Sequence, residues 1–259
     1  MTTTFKPMSM SGRTAFVTGA SSGLGRRFAL LLAAAGAKVA LAARRTDRLE
    51  EAVRDVEAAG GQAAAFAMDV TDEASIQAAM DAAAARFGGI DTVIANAGIN
   101  SEGMALDLEG AEFDRVMAVN VRGAFLTARE GAKRIMAGGA REKEHGRIVM
   151  IASVGGLHPL PGLTAYCASK AAVVMMGKTL AREWANRGVN VNVVCPGYIR
   201  TEINADWFDT EGGKKQMNGF PRRRLMREDD LDQMVLFLSS DASRAVTGST
   251  FVIDDGQTL

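Results

Sequence analysis

The stretch Thr14-Ala15-Phe16-Val17-Thr18-Gly19-Ala20-Ser21-Ser22-Gly23-Leu24-Gly25 joins an apolar β-type run to a glycine-rich turn and then to the start of a helical pattern. Glycines in such a turn tolerate positive φ and let a ligand approach the backbone closely. The N-terminus of the following helix offers free N–H donors and a favourable dipole to an anion. The stretch therefore predicts a strand, a phosphate-binding turn and a helix, with a turn of purely structural purpose as the alternative.

The rest of the chain alternates β-type runs with helical patterns. Seven apolar runs predict strands, at residues 14–17, 38–42, 64–68, 92–95, 147–151, 189–194 and 250–253. Six longer segments have helical length and apolar spacing, at residues 24–35, 48–59, 73–87, 112–137, 165–186 and 231–239. Right-handed crossovers wind such units into a layered sandwich. We therefore expect a single-domain, doubly wound α/β (Rossmann) fold: a parallel seven-stranded sheet with helices on both faces.

The organisation of the 259 residues follows from composition and periodicity. Nothing in the composition divides the chain, so residues 12–259 are predicted to form one domain behind a short N-terminal extension at residues 1–11. Residues 198–224 lack clear periodicity and contain Trp207 and Phe208 among glycines and charges. Loops of this length in compact domains are usually functional or disordered. We interpret this segment as a substrate lid, with a surface excursion that covers core as the alternative.

Composition excludes several classes of function. Thirty basic and thirty acidic residues cancel, so no general field attracts nucleic acid or anionic lipid. No apolar run approaches the roughly 18 residues that would span a bilayer. The number and spacing of Cys167 and Cys195 indicate neither a disulfide framework nor a zinc cluster. His145, which is predicted to be solvated, lies far from His158 in sequence. We expect no metal, no nucleic acid, no membrane association and a cytoplasmic location.

A tyrosine, a lysine and a serine suggest chemistry in the second half of the chain. Tyr166 and Lys170 are four residues apart in a helical pattern, and Ser153 follows the apolar run 147–151. Positions i and i+4 share one helix face. A nearby cation favours the phenolate and lowers the pKa of a tyrosine from its usual value of about 10. The pattern predicts Tyr166 as a general acid or base, although this spacing also arises by chance and Ser153 could be only a turn former.

The residues after the second strand bear on cofactor choice. An NAD-preferring site usually presents a carboxylate there, whereas this chain has Ala42-Ala43-Arg44-Arg45. Arg44 could pair with the 2′-phosphate of NADP, and Ser22 could add a hydroxyl contact. We therefore predict NADPH, with NAD as the alternative. In the competing interpretation, the two arginines form a solvated helix start and one of them pairs with Asp47.

Together these residues resemble the short-chain dehydrogenase/reductase family, in the subgroup with the Thr-Gly-x-x-x-Gly-x-Gly turn and the Tyr-x-x-x-Lys pair. The overall resemblance is to 3-oxoacyl-[acyl-carrier-protein] reductase-like carbonyl reductases. The match extends from about residue 12 to the C-terminus. The motifs occur in the family's order, namely residues 18–25, Asp69-Val70, Asn96-Ala97-Gly98, Asn120, Ser153, Tyr166, Lys170 and Pro196-Gly197.

The resemblance implies roles for individual residues. The catalytic set would be Asn120, Ser153, Tyr166 and Lys170: Ser153 holds the substrate oxygen, Tyr166 delivers a proton, and Asn120 supports a water-linked proton path to Lys170. The substrate pocket would be lined by Ser153, Tyr166, His158, Trp207 and Phe208, with a surface position as the alternative for His158. Cofactor contacts would come from Thr18, Gly19, Ser21, Ser22, Gly23, Leu24, Gly25, Arg44, Asp69, Val70, Asn96, Ala97, Gly98, Tyr166, Lys170, Pro196, Gly197, Ile199 and Thr201.

The function predicted from these observations is NADPH-dependent interconversion of a ketone and a secondary alcohol, with a small molecule as substrate. Two alternatives stay open: an NAD-dependent catabolic dehydrogenase for a polyol, hydroxysteroid or other alcohol, and a non-catalytic dinucleotide-binding sensor. The apolar character of the helix that includes residues 171–176, together with the family's assembly through this region, predicts a homotetramer.

Overall fold

A parallel sheet forms the centre of the computed structural model, which describes residues 8–200 and 205–259. Within those ranges seven strands are hydrogen-bonded in the order β3-β2-β1-β4-β5-β6-β7. The strands are β1 (Thr14–Thr18), β2 (Lys38–Ala43), β3 (Gln62–Ala67), β4 (Thr92–Ala95), β5 (Gly146–Ile151), β6 (Val189–Pro196) and β7 (Thr250–Ile253). The strand order reverses between β1 and β4, so a crevice opens at the carboxyl ends of these strands.

Helices cover both faces of the sheet. In chain order they are α1 (Gly23–Ala34), α2 (Thr46–Ala58), α3 (Glu73–Phe87), α4 (Gly110–Met117), α5 (Ala124–Ala137), α6 (Ala140–Lys143), α7 (Thr164–Trp184), α8 (Ala205–Asp209), α9 (Glu211–Gly219) and α10 (Asp232–Ser239). Side chains of α1, α2 and α10 share one hydrophobic core with the sheet, and those of α3, α5 and α7 share the other. The doubly wound α/β fold predicted from the sequence is confirmed.

Alternation along the strands divides the apolar side chains between the two cores. In β1, Phe16 belongs to the core beneath α3, α5 and α7, whereas Ala15 and Val17 belong to the core beneath α1, α2 and α10. Successive side chains of a strand point to opposite faces. A strand buried on both faces therefore reads as a continuous apolar run. This explains why apolar runs in the sequence were enough to predict where the strands lie.

The predicted helix 112–137 differs from the observed structure. It is divided into α4, a π-helical turn at Ala118–Gly123, and α5. Gly123 packs against Val70 so closely that an added Cβ would lie 2.9 Å from a Val70 methyl group. The wider turn contains Asn120, and π-helical turns of this kind are frequent at functional sites.

The segment predicted to be irregular, 198–224, contains two short helices, α8 and α9. The Thr210 side chain caps α9 by accepting a hydrogen bond from the Gly213 N–H at 3.1 Å. Thr201, predicted as a cofactor contact, lies outside the described residues.

The helices in the described ranges lack the combination of length and apolar character that a membrane crossing requires. In the same part of the chain, no three or more histidine, cysteine or acidic side chains are grouped so that they could hold a metal ion.

Candidate active site

A cavity of about 520 Å³ opens at the carboxyl ends of the central strands. Asn96 and Gly98 line it from the chain after β4, Ser153 from the chain after β5, and Tyr166 and Lys170 from α7. Ligands of open α/β sheets bind in the crevice at this edge. The structure thus brings three of the four predicted catalytic residues to one cavity.

Lys170 is buried, and within residues 8–200 and 205–259 its ammonium forms no ion pair. Its side chain is on the same side of α7 as that of Tyr166, with Nζ 5.6 Å from the centroid of the Tyr166 ring. The ammonium donates a hydrogen bond to the Ile151 carbonyl at 3.0 Å. Burial lowers the pKa of Lys170 to about 8, because transfer from water penalises the charged form. The lysine can therefore exchange a proton near neutral pH.

Ser153 begins the tight turn between β5 and α7. Its Oγ accepts a hydrogen bond from the Gly155 N–H at 3.1 Å, which fixes the hydroxyl at the start of the 3₁₀ turn Val154–Gly156. Burial raises the pKa of Tyr166, and a hydrogen bond with Ser153 acts in the opposite direction. The sequence predicted a lowered tyrosine pKa, and the structure differs because desolvation outweighs the favourable contacts.

Asn120 connects two of these elements. Its Oδ1 accepts from the Ile99 N–H at 2.8 Å, and its Nδ2 donates to the Ile99 carbonyl and to Ser169 Oγ. Ser169 Oγ in turn donates to the Tyr166 carbonyl at 2.7 Å. Asn120 is therefore linked to the first turn of α7 through Ser169, a residue that the sequence analysis did not assign a role.

Gly98 shows how close Asn120 and Lys170 are to each other. A Cβ added at this glycine would lie 3.3 Å from Asn120 Oδ1 and 3.4 Å from Lys170 Nζ. The glycine therefore leaves space at the point where the amide and the ammonium approach the same backbone. All four predicted catalytic residues belong to this one region of the structure.

The glycine-rich turn fits an anion. Gly19 and Gly23 have φ values of +67° and +49°, in the left-handed region. The Ser22 side chain makes no capping hydrogen bond at the N-terminus of α1, and the first turn has no acidic residue. At Gly25 a Cβ would lie 2.3 Å from the Gly19 carbonyl oxygen. The N-terminus of α1 is thus open to a phosphate, as dinucleotide binding requires.

Thr18 and Asn96 connect β1 to β4 at the reversal of strand order. Thr18 Oγ1 accepts hydrogen bonds from the N–H groups of Asn96 and Ala97, both at 3.0 Å. Asn96 Nδ2 donates to the Thr18 carbonyl at 3.0 Å. These side chains therefore hold the crevice in shape, and the cofactor roles predicted for them stay predictions.

The two arginines after β2 occupy different positions. Arg45 Nη2 donates to Ser21 Oγ at 3.1 Å and to Ser22 Oγ at 2.6 Å. Arg44 approaches Asp69, whose pKa is lowered first by hydrogen bonds from Thr71 and further by the Arg44 charge. Arg45 therefore lies over the phosphate-binding turn, a placement that the sequence analysis missed because both arginines are equally basic.

The walls of the cavity are mainly apolar. Trp207 and Phe208 line it as predicted, together with Leu24, Pro196, Gly197 and Ile199 from the predicted cofactor set. Tyr198, Gln216, Leu160 and Leu163 also line it, although none of the four was named individually as a site residue from the sequence. Three of these four have apolar or aromatic side chains, a character that sequence alone could not distinguish from that of core residues.

His158 does not line the cavity, contrary to its predicted place in the substrate pocket. Its side chain is exposed. The reason lies in the local backbone, because the N–H groups of Leu157 and His158 both donate to the Val154 carbonyl. That tight turn places His158 at the surface.

Comparison with known proteins shows the family to which the chain belongs. The family model described as short chain dehydrogenase matches residues 13–212. D-threitol dehydrogenase of Mycolicibacterium smegmatis is 36% identical over 250 residues, which cover 96% of this chain and 94% of that protein. 3beta-hydroxysteroid dehydrogenase 1 of Eggerthella lenta is 37% identical over 253 residues, which cover 96% of this chain and 95% of that protein.

A solved structure gives the same result. A protein from Beutenbergia cavernae, crystallised with NADP bound at low occupancy, superimposes with a TM-score of 0.90 at 35% identity, covering 98% of this chain and 99% of that one. The chain belongs to the short-chain dehydrogenase/reductase family. It is an NAD(P)-dependent oxidoreductase that acts on alcohol or ketone substrates.

Proposed function

We propose that this protein uses NADPH to interconvert a bulky, mainly apolar ketone and the corresponding secondary alcohol. The observation that supports this most directly is the convergence of Ser153, Tyr166 and Lys170 at one apolar cavity. Two hydroxyl donors and a buried amine with a pKa of about 8 are what a carbonyl reduction needs at the oxygen of the substrate.

In the proposed mechanism the protein manages the proton. Ser153 Oγ and Tyr166 Oη both donate to the carbonyl oxygen, which orients the substrate and stabilises the developing negative charge. Tyr166 then transfers its proton to that oxygen. The hydride for the carbonyl carbon would come from bound NADPH. Lys170 stabilises the resulting phenolate, and Asn120 supports the water-linked path that returns a proton to the pair.

The preference for NADPH rests on the end of β2 and on the turn after β1. Arg44 and Arg45 are both exposed there, and Arg45 lies on the Ser21 and Ser22 hydroxyls. A phosphate on the adenine ribose would meet two guanidinium groups and two hydroxyls. The bound NADP in the Beutenbergia cavernae structure is consistent with this choice.

The proposed substrate class follows from the cavity walls. Leu160, Leu163, Trp207 and Phe208 offer apolar surface, and a polyol hydroxyl group placed against them would have no hydrogen-bond partner. A bulky cyclic or long-chain ketone fits such walls better. The relative named 3beta-hydroxysteroid dehydrogenase 1 is consistent with this class.

A second candidate is NAD-dependent oxidation of a polyol. The observation that favours it is the similarity to a protein named D-threitol dehydrogenase. Asn100, Glu102 and Gln216 also line the cavity and could bind hydroxyl groups. Activity with D-threitol and NAD, without activity on bulky ketones, would establish this candidate in place of the first.

The test is a fluorescence titration with NADPH and NADH on the wild type and on Arg44→Ala and Arg45→Ala. Arg48→Ala is the matched control, since Arg48 is an exposed arginine on α2. We expect each of the first two variants to weaken NADPH about 10-fold or more, with NADH binding unchanged. Equal binding of both cofactors by the wild type would refute the NADPH assignment, and binding of neither would favour a non-catalytic role.

Turnover is then measured with trans-1-decalone, a bulky apolar ketone, and with D-threitol in the oxidative direction. NADPH consumption with the decalone supports the proposed substrate class. Activity only with D-threitol contradicts it.

Assembly as a homotetramer through α7 also remains a proposal. Met175 of α7 is 63% exposed in the single chain, and a large apolar side chain at the surface favours a partner helix. Light scattering during size-exclusion chromatography, on the wild type and on Met175→Lys, measures the mass and tests whether this face is used.

A further inference from the structure

The C-terminal segment, residues 254–259, contacts the two ends of the segment that forms one cavity wall. We define that segment by its described residues, 198–200 and 205–226, and call it the wall segment. Its two ends are adjacent, because the Met226 N–H donates to the Tyr198 carbonyl at 3.0 Å and Ile199 pairs with Met226 in an isolated β-bridge. Whatever holds these two ends fixes where the wall segment leaves β6 and where it continues toward α10.

Gln257 contacts both ends through its side-chain amide. Its Oε1 accepts from the Tyr198 N–H at 2.6 Å. Its Nε2 donates to the carbonyls of Tyr198 and Arg224, each at 3.3 Å. A Cβ at Gly197 would lie 2.4 Å from Gln257 Oε1, so the glycine before the wall segment leaves room for this amide.

Asp255 makes a second connection to the returning end. Its two carboxylate oxygens lie 3.0 Å from Arg222 Nε and 2.8 Å from Arg224 Nε. The Asp255 side chain is only 16% exposed, although the two arginines are well exposed. Its backbone has a φ of +54°, a conformation that costs free energy for a residue with a Cβ and that aspartate tolerates better than most.

The two ends are connected to the cavity through aromatic side chains. The Tyr198 ring packs edge to face on Phe208 with centroids 5.8 Å apart and stacks on Phe220 at 5.3 Å. Tyr198, Trp207 and Phe208 all line the cavity. A shift of Tyr198 would therefore move the apolar wall of the cavity.

We propose that Asp255 and Gln257 are positioning residues that hold the wall segment and thereby set the affinity for the carbonyl substrate. Neither residue lines the cavity among the residues that the structure describes. Their action on substrate rests on the proposed function, whereas their action on the wall segment does not. The two parts can therefore be tested separately.

The first test needs neither cofactor nor substrate. Trp184 and Trp207 are the two tryptophans of the chain, so a Trp184→Phe background isolates the emission of Trp207. We expect Asp255→Asn, Asp255→Gly and Gln257→Ala each to raise the acrylamide quenching of Trp207 about 2-fold, because the wall segment opens locally. Asp81→Asn is the matched control, since Asp81 pairs with Arg134 between α3 and α5.

Comparison of the two Asp255 variants separates charge from backbone conformation. Glycine relieves the positive φ and asparagine tolerates it, but both remove the carboxylate. Equal quenching in both variants supports the ion pairs, whereas wild-type behaviour of Asp255→Gly overturns the role of the carboxylate. If the Trp184→Phe protein does not fold, the rate of tryptic cleavage after Lys214 and Lys215 makes the same comparison in the otherwise native chain.

The second test distinguishes an effect on substrate binding from an effect on the chemical step. With trans-1-decalone we expect the variants to raise KM about 3- to 10-fold, the range for losing two exposed ion pairs or their equivalent, with kcat and NADPH affinity within about 2-fold of wild type. A parallel fall of kcat and NADPH affinity overturns the positioning role. If the wild type itself does not reduce the ketone, the proposed function fails, and the fluorescence result still decides whether the tail holds the wall segment.

Discussion

Buried charges have different surroundings at the amino edge of the sheet, where the strands begin, and at its carboxyl edge, where they end. At the amino edge, Arg13 and Arg147 are 5% and 1% exposed, and Asp91 and Asp241 lie against them. At the carboxyl edge, Lys170 is 5% exposed, and no ion pair of its ammonium is found in the described part of the chain. The comparison separates charges that hold a fold from a charge that is available for proton transfer.

The buried charges differ in their partners and in their ordinary pKa values. Arg13 donates to Asp91, to Thr92 and to the His145 carbonyl. Arg147 donates to three backbone carbonyls, and burial lowers its pKa only to about 10. It therefore stays charged at neutral pH. Lys170 has one carbonyl acceptor, and burial brings its pKa to about 8. Burial lowers the two pKa values by a similar amount, so the lysine titrates closer to neutral pH because its ordinary pKa of 10.5 lies below the arginine's 12.5.

The largest expected effect is at the carboxyl edge. Tyr166→Phe removes the proton donor, and we expect kcat for ketone reduction to fall about 10³-fold, within the usual range for loss of a general acid. NADPH affinity should stay within about 3-fold of wild type. Tyr198→Phe is the control, because Tyr198 lines the same cavity but keeps its ring stacking without the hydroxyl. Comparable losses in the two variants would contradict the assignment of the acid.

At the amino edge we expect substitutions to lower the free energy of unfolding without lowering turnover. Asp91→Ala removes one of the two carboxylate partners of Arg13, leaving only Asp241, and removes the acceptor of the Thr14 N–H. Breaking such a buried pair costs about 3 kcal/mol of unfolding free energy, measurable by urea denaturation. Asp81→Ala, which breaks an exposed pair with Arg134, should cost less than about 1 kcal/mol. A selective loss of turnover in folded Asp91→Ala protein would contradict the expectation that the amino-edge charges affect stability and not catalysis.

Lys170 at the carboxyl edge should also make the free energy of unfolding depend on pH in the alkaline range. The folded pKa of Lys170, about 8, lies below its usual value of 10.5, so burial of the charged form destabilises the fold most below pH 8. That penalty is relieved as pH rises from 8 to about 10.5, where the unfolded chain holds more protons. Lys170→Met should therefore be more stable than wild type at pH 7 by about 2 kcal/mol.

The measurement is urea denaturation of both proteins across pH 7 to 10.5, without cofactor. The advantage of Lys170→Met should shrink steadily through this window. A constant difference would mean that Lys170 is not desolvated as the structure shows.

The smallest expected effect is at His145 on the amino edge, which is partly buried rather than solvated as its charged sequence context predicted. Burial lowers the pKa of His145, so the neutral form is favoured in the fold. Stability is then lost as pH falls below 6.5, because the unfolded chain takes up the proton first. His145→Gln should therefore lose less unfolding free energy than wild type between pH 7 and pH 5. Parallel denaturation curves for the two proteins would contradict this.

Much of the fold could be predicted, and the exceptions have physical causes. The bounds of β4, β7 and α3 agree residue by residue with the sequence prediction. The strand predicted at 64–68 lies at Gln62–Ala67 because its alanines and glutamine give no sharp boundary. The helix predicted at 112–137 is interrupted by the π-helical turn around Asn120. Apolar periodicity does not reveal one extra residue in a turn when both flanking helices face the same core.

In the candidate site, too, some residues could be found from the sequence and others could not. Ser153, Tyr166 and Lys170 could be found because their spacing is local to one strand end and one helix. Arg45 over the serines of the turn, and Gln257 between Tyr198 and Arg224, could not be found. Each is a contact between distant parts of the chain, and the residue types involved are common on surfaces.

The sequence by itself determined the order of strands and helices, the glycine turn and the spacing of the candidate catalytic side chains, because each depends on local periodicity or local sterics. Only the tertiary structure decided which buried charges have partners. It also placed His158 outside the cavity and set the C-terminal tail against the wall segment. Burial, and with it the pKa of Lys170 and the shape of the pocket, depends on which segments of chain come to lie around a side chain.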